Sequence, residues 1–289
     1  MCLILIGWQS HPDFPLVIAA NRDEFYTRRT RPAAWWGQSV SILAGRDEEA
    51  GGTWLGINRR GRVAMLTNVR APQERNTRAP SRGLLVLSAL QSVGPLSQWV
   101  KETARASQSA SQSFNGFNLL AGEPLPVPAL GIDAQILYLS NRGSGSAEEP
   151  RVLAPGIYGL SNGLLDTPWP KLTRAVAAFA CQLANRIDTD ALLNIMANRE
   201  VARDAELPHT GVPLDWERAL SAIQIRAKGY GTRSTTILTV RRDGTVHFLE
   251  RAFASDDPEQ YSDRRFEFVI DGTGNRAPLL DSPPRRERS

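Results

Sequence analysis

The sequence predicts an α+β fold in layers, antiparallel sheets covered by helices. Strand-like apolar runs stand at both ends of the chain, and helix-like periods occupy its middle. Short turn signals, Asn58-Arg59-Arg60-Gly61 and Asp243-Gly244, separate runs of matching length, which makes hairpins and hence antiparallel pairing. At 289 residues and 42% hydrophobic, the chain has enough apolar material for a sizeable core, in one large domain or two small ones. Residues 271–289 are expected to form a disordered tail.

Cys2 to Trp8 is a continuous apolar run, the pattern of a strand buried on both faces. His11-Pro12-Asp13-Phe14-Pro15 breaks it before Leu16 to Ala20 resumes, giving a hairpin that ends in Asn21-Arg22-Asp23-Glu24. Thr53 to Ile57 and Val63 to Thr67 form a second hairpin, with Gly61 suited to positive φ and Asn68 just past its end. From Ser81 the period changes to that of a helix, and a second helix follows Pro95. Ser107 to Ser113 reads as an exposed low-complexity loop. Strands return at Phe117 to Ala121 and Ala134 to Leu139, followed by a Gly/Ser turn over 142–146. A third strand pair is expected around Val152-Leu153 and Ile157 to Leu160. Helices follow over Pro170 to Asn185, Asp190 to Arg199 and around Trp216 to Leu220. The chain then closes with the Ser234 to Arg241 and Thr245 to Arg251 hairpin and a strand from Arg265 to Ile270.

Several function classes are disfavoured. The net charge of +4 comes from arginines spread along the chain and mostly alternating with acids, not from a basic face with interleaved aromatics, so nucleic acid is not an expected partner. No apolar run is long enough for an integral membrane segment, and the first one lacks the positive flank of a secretory signal. Two cysteines give neither a disulfide framework nor a zinc set, and the default location is cytoplasmic. His11, His209 and His247 lie in no catalytic motif, and no close pair of His or Cys ligands suggests a metal.

Chemistry concentrates at Cys2. A small residue after the initiator methionine permits methionine removal, which would leave a thiol and a free α-amine on one residue. Their reference pKa values, about 8.5 and about 7.7–8.0, are closely matched, so the amine can serve as the base of the thiol without a histidine. The competing reading is a plain buried strand cysteine.

The wider pattern carries a resemblance. Asn21-Arg22-Asp23-Glu24, Gly52-Thr53-Trp54-Leu55-Gly56, Thr67-Asn68, Ser81-Arg82-Gly83, Gly116-Phe117-Asn118-Leu119-Leu120, Gly159-Leu160-Ser161-Asn162, Trp169-Pro170-Lys171 and Tyr230-Gly231-Thr232-Arg233-Ser234 follow one another in order. Together they resemble the NRDE family, that of the transport and Golgi organisation protein 2. That family resembles in turn the N-terminal-nucleophile (Ntn) hydrolases with a cysteine nucleophile. The resemblance implies a single domain over 2–270, a four-layer αββα sandwich with antiparallel sheets, and catalysis by hydrolysis or acyl transfer at an amide or thioester carbonyl. By that resemblance Cys2 is the nucleophile, Asp23 the carboxylate holding its amine, Asn68 an oxyanion-hole donor and Asn162 a second active-site asparagine. Asn21, Arg22, Trp54 and Arg233 are candidates for substrate binding. No cofactor is implied for the enzyme.

The chain departs from those hydrolases in one respect, since Ala20 stands where they carry an arginine. Adjacent strand residues face opposite ways, so a cavity shared by Cys2 and Asp23 predicts that Arg22 points away unless the strand has ended or bulged. Arg233 is the other candidate guanidinium. Other readings stand beside these: Asn21, Asn68 and Asn162 as turn residues at strand ends, Asp23 and Glu24 as parts of a salt-bridge network, Trp35, Trp36 and Trp54 as core, and Ser81 as a helix cap. The family's association with haem trafficking and acyl-lipid homeostasis also implies a non-catalytic carrier using the same cavity. The expected ligand is a small amide, acyl or porphyrin molecule.

Overall fold

The computed structural model describes residues 2–37, 40–107, 114–126, 131–142, 149–254 and 259–270. The tail 271–289, the serine-rich run 108–113 and most of the Gly/Ser turn lie outside the described residues.

Two antiparallel sheets pack face to face. The first contains β1 (Cys2–Trp8), β2 (Leu16–Phe25), β10 (Gly156–Leu160), β12 (Tyr230–Val240), β13 (Thr245–Phe253) and β14 (Tyr261–Val269), in the order β10-β1-β2-β12-β13-β14, with β11 (Arg226–Ala227) added on β12. The second runs in sequence order: β3 (Thr30–Trp36), β4 (Ile42–Asp47), β5 (Leu55–Asn58), β6 (Val63–Asn68), β7 (Phe117–Glu123), β8 (Gln135–Ser140) and β9 (Arg151–Val152). Helices α1 (Gly83–Gln91) and α2 (Leu96–Ser107) cover its outer face. Helices α3 (Pro170–Leu183) and α4 (Thr189–Met196) cover the outer face of the first sheet, and α5 (Leu214–Leu220) packs beside Tyr230.

Strand alternation explains the layering. Ile4, Ile6 and Trp8 of β1, with Leu16 and Ile18 of β2, enter the core between the sheets. Leu3, Leu5, Val17 and Ala19, one position out of phase, pack under Leu172, Phe179 and Leu192 of the helices. Each side chain buried in this way contributes about 1.5–3 kcal/mol against exposure, so a register slip would be opposed at many positions together. The arrangement has the antiparallel sheets covered by helices that the residue pattern predicts, in the four-layer αββα sandwich that the resemblance implies.

Three expectations need correction. Asn21 to Glu24 do not lie past the second strand of the first hairpin but continue it as β2: β12 pairs with all four, and β1 also pairs with Asn21 and Arg22. The runs around Val152 and Ile157 are not a strand pair: β9 joins β8 in one sheet and β10 joins β1 in the other, so the chain changes layer between them. Strands β3 and β4 were not anticipated. The two tight turns are as read, with Gly61 at φ +88° and Gly244 at φ +86°.

Candidate active site

Cys2 opens β1 at one end of the sandwich, and its register fixes its neighbours. It stands directly opposite Arg22 on β2. On the other side the β1–β10 ladder ends with Ile4 opposite Leu160, and the same register continued two residues places Asn162 across from Cys2. Ser161 Oγ also lies 3.5 Å from the Cys2 carbonyl. Cys2 has the parity of Ile4 and Ile6, so its thiol points between the sheets. There it meets a cavity of about 280 Å3 whose wall includes Cys2, Arg22, Trp54, Asn68 and Arg82.

Arg22 therefore shares the thiol's cavity, contrary to the expectation that it points away. Direct opposition in an antiparallel pair puts both side chains on one face. Its guanidinium lies 4.2 Å from the Trp54 ring centroid, Nη1 donates to Thr30 Oγ1 (2.7 Å), and Nη2 is 3.9 Å from the Asp47 carboxylate. Asp23, next along the strand, turns its carboxylate to the helix face, where Thr232 Oγ1 donates to Oδ1 (2.6 Å). Burial raises the Asp23 pKa, while Lys171 and the Thr232 hydroxyl oppose that rise. The two residues flank Cys2 from two faces, Arg22 on the side of the thiol and Asp23 on the other.

Asn68 ends β6 on the cavity wall, and no protein hydrogen bond to its side chain is formed among the described residues. Its carbonyl accepts from Asn162 Nδ2 (2.8 Å), while Asn162 Oδ1 is buried without a hydrogen-bond partner among the described residues. Asn162 thus reaches the site through Asn68 and through its place across from Cys2.

Two candidates fall elsewhere. Asn21 shares the parity of Ala19 and is not on the cavity wall: its Nδ2 donates to the carbonyls of Met196 and Ile223, and Thr235 Oγ1 donates to its Oδ1, which ties β2 to the helix layer. Arg233 is extruded by a bulge in β12 between Thr232 and Ser234, and its Nη1 donates to the carbonyls of Phe25, Tyr26 and Arg28. It closes the turn after β2 and is absent from the cavity wall. Ser81 makes no side-chain cap; Arg82 takes the cap position of α1, and both line the cavity.

Burial pushes the Cys2 thiol above its ordinary pKa and the Asp23 charge adds to this, while Arg22 and an Asp23 backbone hydrogen bond act the other way. A thiol held neutral in this way needs a base before it can attack.

Lys171 is the residue that sequence reasoning passed over. It lies in the first turn of α3, is 1% exposed, and its Nζ has no hydrogen-bond partner among the described residues. Burial lowers its pKa to about 8, against the attraction of Asp23 and Cys2 and with the repulsion of Arg70. The signal available was Trp169-Pro170-Lys171, but a lysine opening a helix reads as surface.

The profile described as Transport and Golgi organisation 2 matches residues 1–255. The chain belongs to that family. A bovine relative, Transport and Golgi organization protein 2 homolog, is 37% identical over 290 residues, covering 93% of this chain and 99% of its own. The human homolog is 35% identical over 286 residues with the same coverage. Among solved structures, the C2A mutant of conjugated bile acid hydrolase from Clostridium perfringens aligns over 93% of this chain and 98% of its own, at TM-score 0.46 and 8% identity. A Caenorhabditis elegans ortholog of N-acylethanolamine-hydrolyzing acid amidase aligns over 82% and 92%, at TM-score 0.41 and 11% identity. No helix among the described residues is long and apolar enough to cross a membrane.

Proposed function

We propose that this family member, once Met1 is removed, is an N-terminal-cysteine amidohydrolase or acyltransferase acting on an amide or thioester. The observation that carries the reading is the placement of Cys2: its thiol opens on a cavity with Asn68 on the wall, while the adjoining strand residue Asp23 presents a buried, hydrogen-bonded carboxylate behind it.

In this reading the Cys2 amine takes the thiol proton and the sulfur attacks the carbonyl carbon. The carbonyl π electrons move to oxygen, where the Asn68 amide donates; one such donor is worth about 3 kcal/mol in comparable sites. Collapse of the tetrahedral adduct breaks the bond to the leaving group, which receives the proton from the ammonium, and a thioester remains on Cys2. Water, or an acceptor amine, gives its proton to the α-amine as it attacks the thioester, and the thiol is restored. Asp23 orients the amine, Arg22 favours the thiolate from the opposite side, and Asn162 holds Asn68 in place. Lys171 keeps positive charge beside Asp23.

The carrier reading is less well supported. Four guanidiniums and the carboxylates of Glu24 and Asp47 stand on the cavity wall, with Trp54 and Leu66 its large apolar side chains, which does not fit an apolar slot for haem; Cys2 is the one soft ligand among the described lining residues.

The test is the intact mass of the untagged protein followed by an amide and thioester screen with Cys2→Ala as control. Loss of Met1 and turnover that vanishes in the variant support the reading. Retained Met1, or turnover indifferent to Cys2→Ala, sinks it.

A further inference from the structure

The cavity wall has a charge ledger that does not balance locally. Its acids are engaged: Asp47 lies 2.7 Å from Arg28 and 3.9 Å from Arg22, Glu24 lies 3.8 Å from Arg28, and Asp23 accepts from Thr232. Arg82 and Arg75, also on the wall, have no carboxylate partner in hydrogen-bond or ion-pair range among the described residues. Among the described residues the half-buried Arg82 donates only to the Gly116 carbonyl (2.9 Å). Half-buried guanidiniums ordinarily find an anion.

A second, independent feature points the same way. Helix α1 begins on this wall with Gly83, has no side-chain cap, and carries no acidic residue in its first turn. The Leu84 and Leu85 N–H groups donate to the Ser81 and Arg82 carbonyls (3.2 and 3.0 Å), so the helix start adds the positive end of its dipole at Gly83 rather than a row of free donors. Thr53 is bonded to the Gly83 carbonyl, and a Cβ on Gly52 would stand 2.5 Å from the Gly83 carbonyl carbon, so the 52–53 segment is pressed against this helix start. Burial lowers the Arg82 pKa, Cys2 and Glu24 oppose this, and the like charges of Arg75 and Arg28 add to it. Cys2 and Arg82 are thus electrostatic neighbours.

We propose that Arg82 and Arg75, at the start of α1, form an anion subsite beside Cys2, which takes a carboxylate or phosphate group on the ligand whose carbonyl meets the thiol. As a statement about substrate it rests on the nucleophile reading above, but the subsite itself is independent of catalysis. A cavity of about 280 Å3 keeps the anionic group within a few bonds of the reacting carbonyl.

Paired alkylating agents test it on the whole protein. Iodoacetate and iodoacetamide differ chiefly in one negative charge, and exposed Cys181 is an internal reference. The iodoacetate-to-iodoacetamide rate ratio, read by peptide mass spectrometry, is expected to be about tenfold higher at Cys2 than at Cys181, and to fall with added salt. Arg82→Gln should bring the Cys2 ratio down to that of Cys181. Arg75→Gln, at an exposed position, should lower it partway if the first variant does not fold. Equal ratios at the two cysteines in the unmodified protein, or a Cys2 ratio untouched by both substitutions, overturn the subsite. Inorganic phosphate and acetate, each tested for slowing iodoacetamide at Cys2, tell the two anions apart; protection by either supports the proposal and protection by neither overturns it. The ratio needs no turnover, so a high ratio in a protein without amide or thioester activity rejects the nucleophile reading and leaves the subsite. Turnover with equal ratios does the reverse.

Discussion

Glu250 lies between the sheets behind the cavity, and its replacement by glutamine should change how stability depends on pH. It is 1% exposed on β13, opposite Thr236 on β12 and Arg264 on β14. Its Oε1 accepts from the Ala33 N–H (2.6 Å), and Oε2 has no hydrogen-bond partner among the described residues. Burial raises its pKa from 4.5 to about 7, with the Ala33 N–H, Arg22 and Arg264 acting against that rise. Between pH 4.5 and 7 the folded protein keeps this proton while the unfolded chain has released it. The native state then binds more protons, so this group's contribution to stability falls as pH rises. The size follows from the two pKa values, roughly 3 kcal/mol over the full window. Glu250→Gln keeps an acceptor for Ala33 and removes the titration. Its packing and hydrogen-bond costs are independent of pH, so only the slope is diagnostic. Urea midpoints of both proteins from pH 4.5 to 8 should show the variant gaining on the parent by roughly 3 kcal/mol across the range. A difference that stays flat, or runs the other way, would refute a neutral buried acid at this position.

Two further outcomes follow from the site. Asn68→Ala should lower kcat on any amide or thioester substrate by about 10²–10³-fold with KM little changed, because its donor acts on charge that develops only in the transition state; a loss confined to KM contradicts that role. Lys171→Met should remove a rise in stability between pH 8 and 10.5. In that window the folded lysine is neutral and the unfolded one still protonated, so the unprotonated native state gains up to roughly 3 kcal/mol as pH increases; parallel pH profiles of parent and variant would show that the lysine is not buried as described.

Local periodicity and turn chemistry carried most of the fold. The hairpins closed by Gly61 and Gly244, and helices α1 to α5, follow from short-range signals that need no tertiary partner. Strands β3 and β4 do not. Thr30–Trp36 contains arginine and proline at an edge, and it is held by distant groups: Glu250 on the Ala33 N–H, Arg59 over the Trp35 ring at 3.9 Å, and Glu48 on Arg31. The layer change between Val152 and Ile157 was equally unreadable, since either run suits either sheet until its partner is known. At the site, Cys2, Arg22, Trp54 and Asn68 were legible and do meet at one cavity. Lys171 and the unpaired state of Arg82 were not, because burial and missing partners are properties of three-dimensional neighbours.

The division of labour within Asn21-Arg22-Asp23-Glu24 follows from one alternation and one bulge. Alternation sends Asn21 and Asp23 to the helix face and Arg22 and Glu24 to the cavity. Since Cys2 is opposite Arg22, its thiol must share the Arg22 face, while its backbone at the strand end lies beside the residue of the other parity, Asp23. Without the bulge, the pairing of Ser234 with Arg22 would continue to Arg233 opposite Asp23. The extra residue puts Thr232 there instead, which gives the carboxylate its hydroxyl donor, and expels Arg233 to bind the carbonyls of the following turn. The same irregularity that orients Asp23 therefore decides between the two candidate arginines, Arg22 and Arg233: Arg22 stays on the cavity wall opposite Cys2, and Arg233 does not.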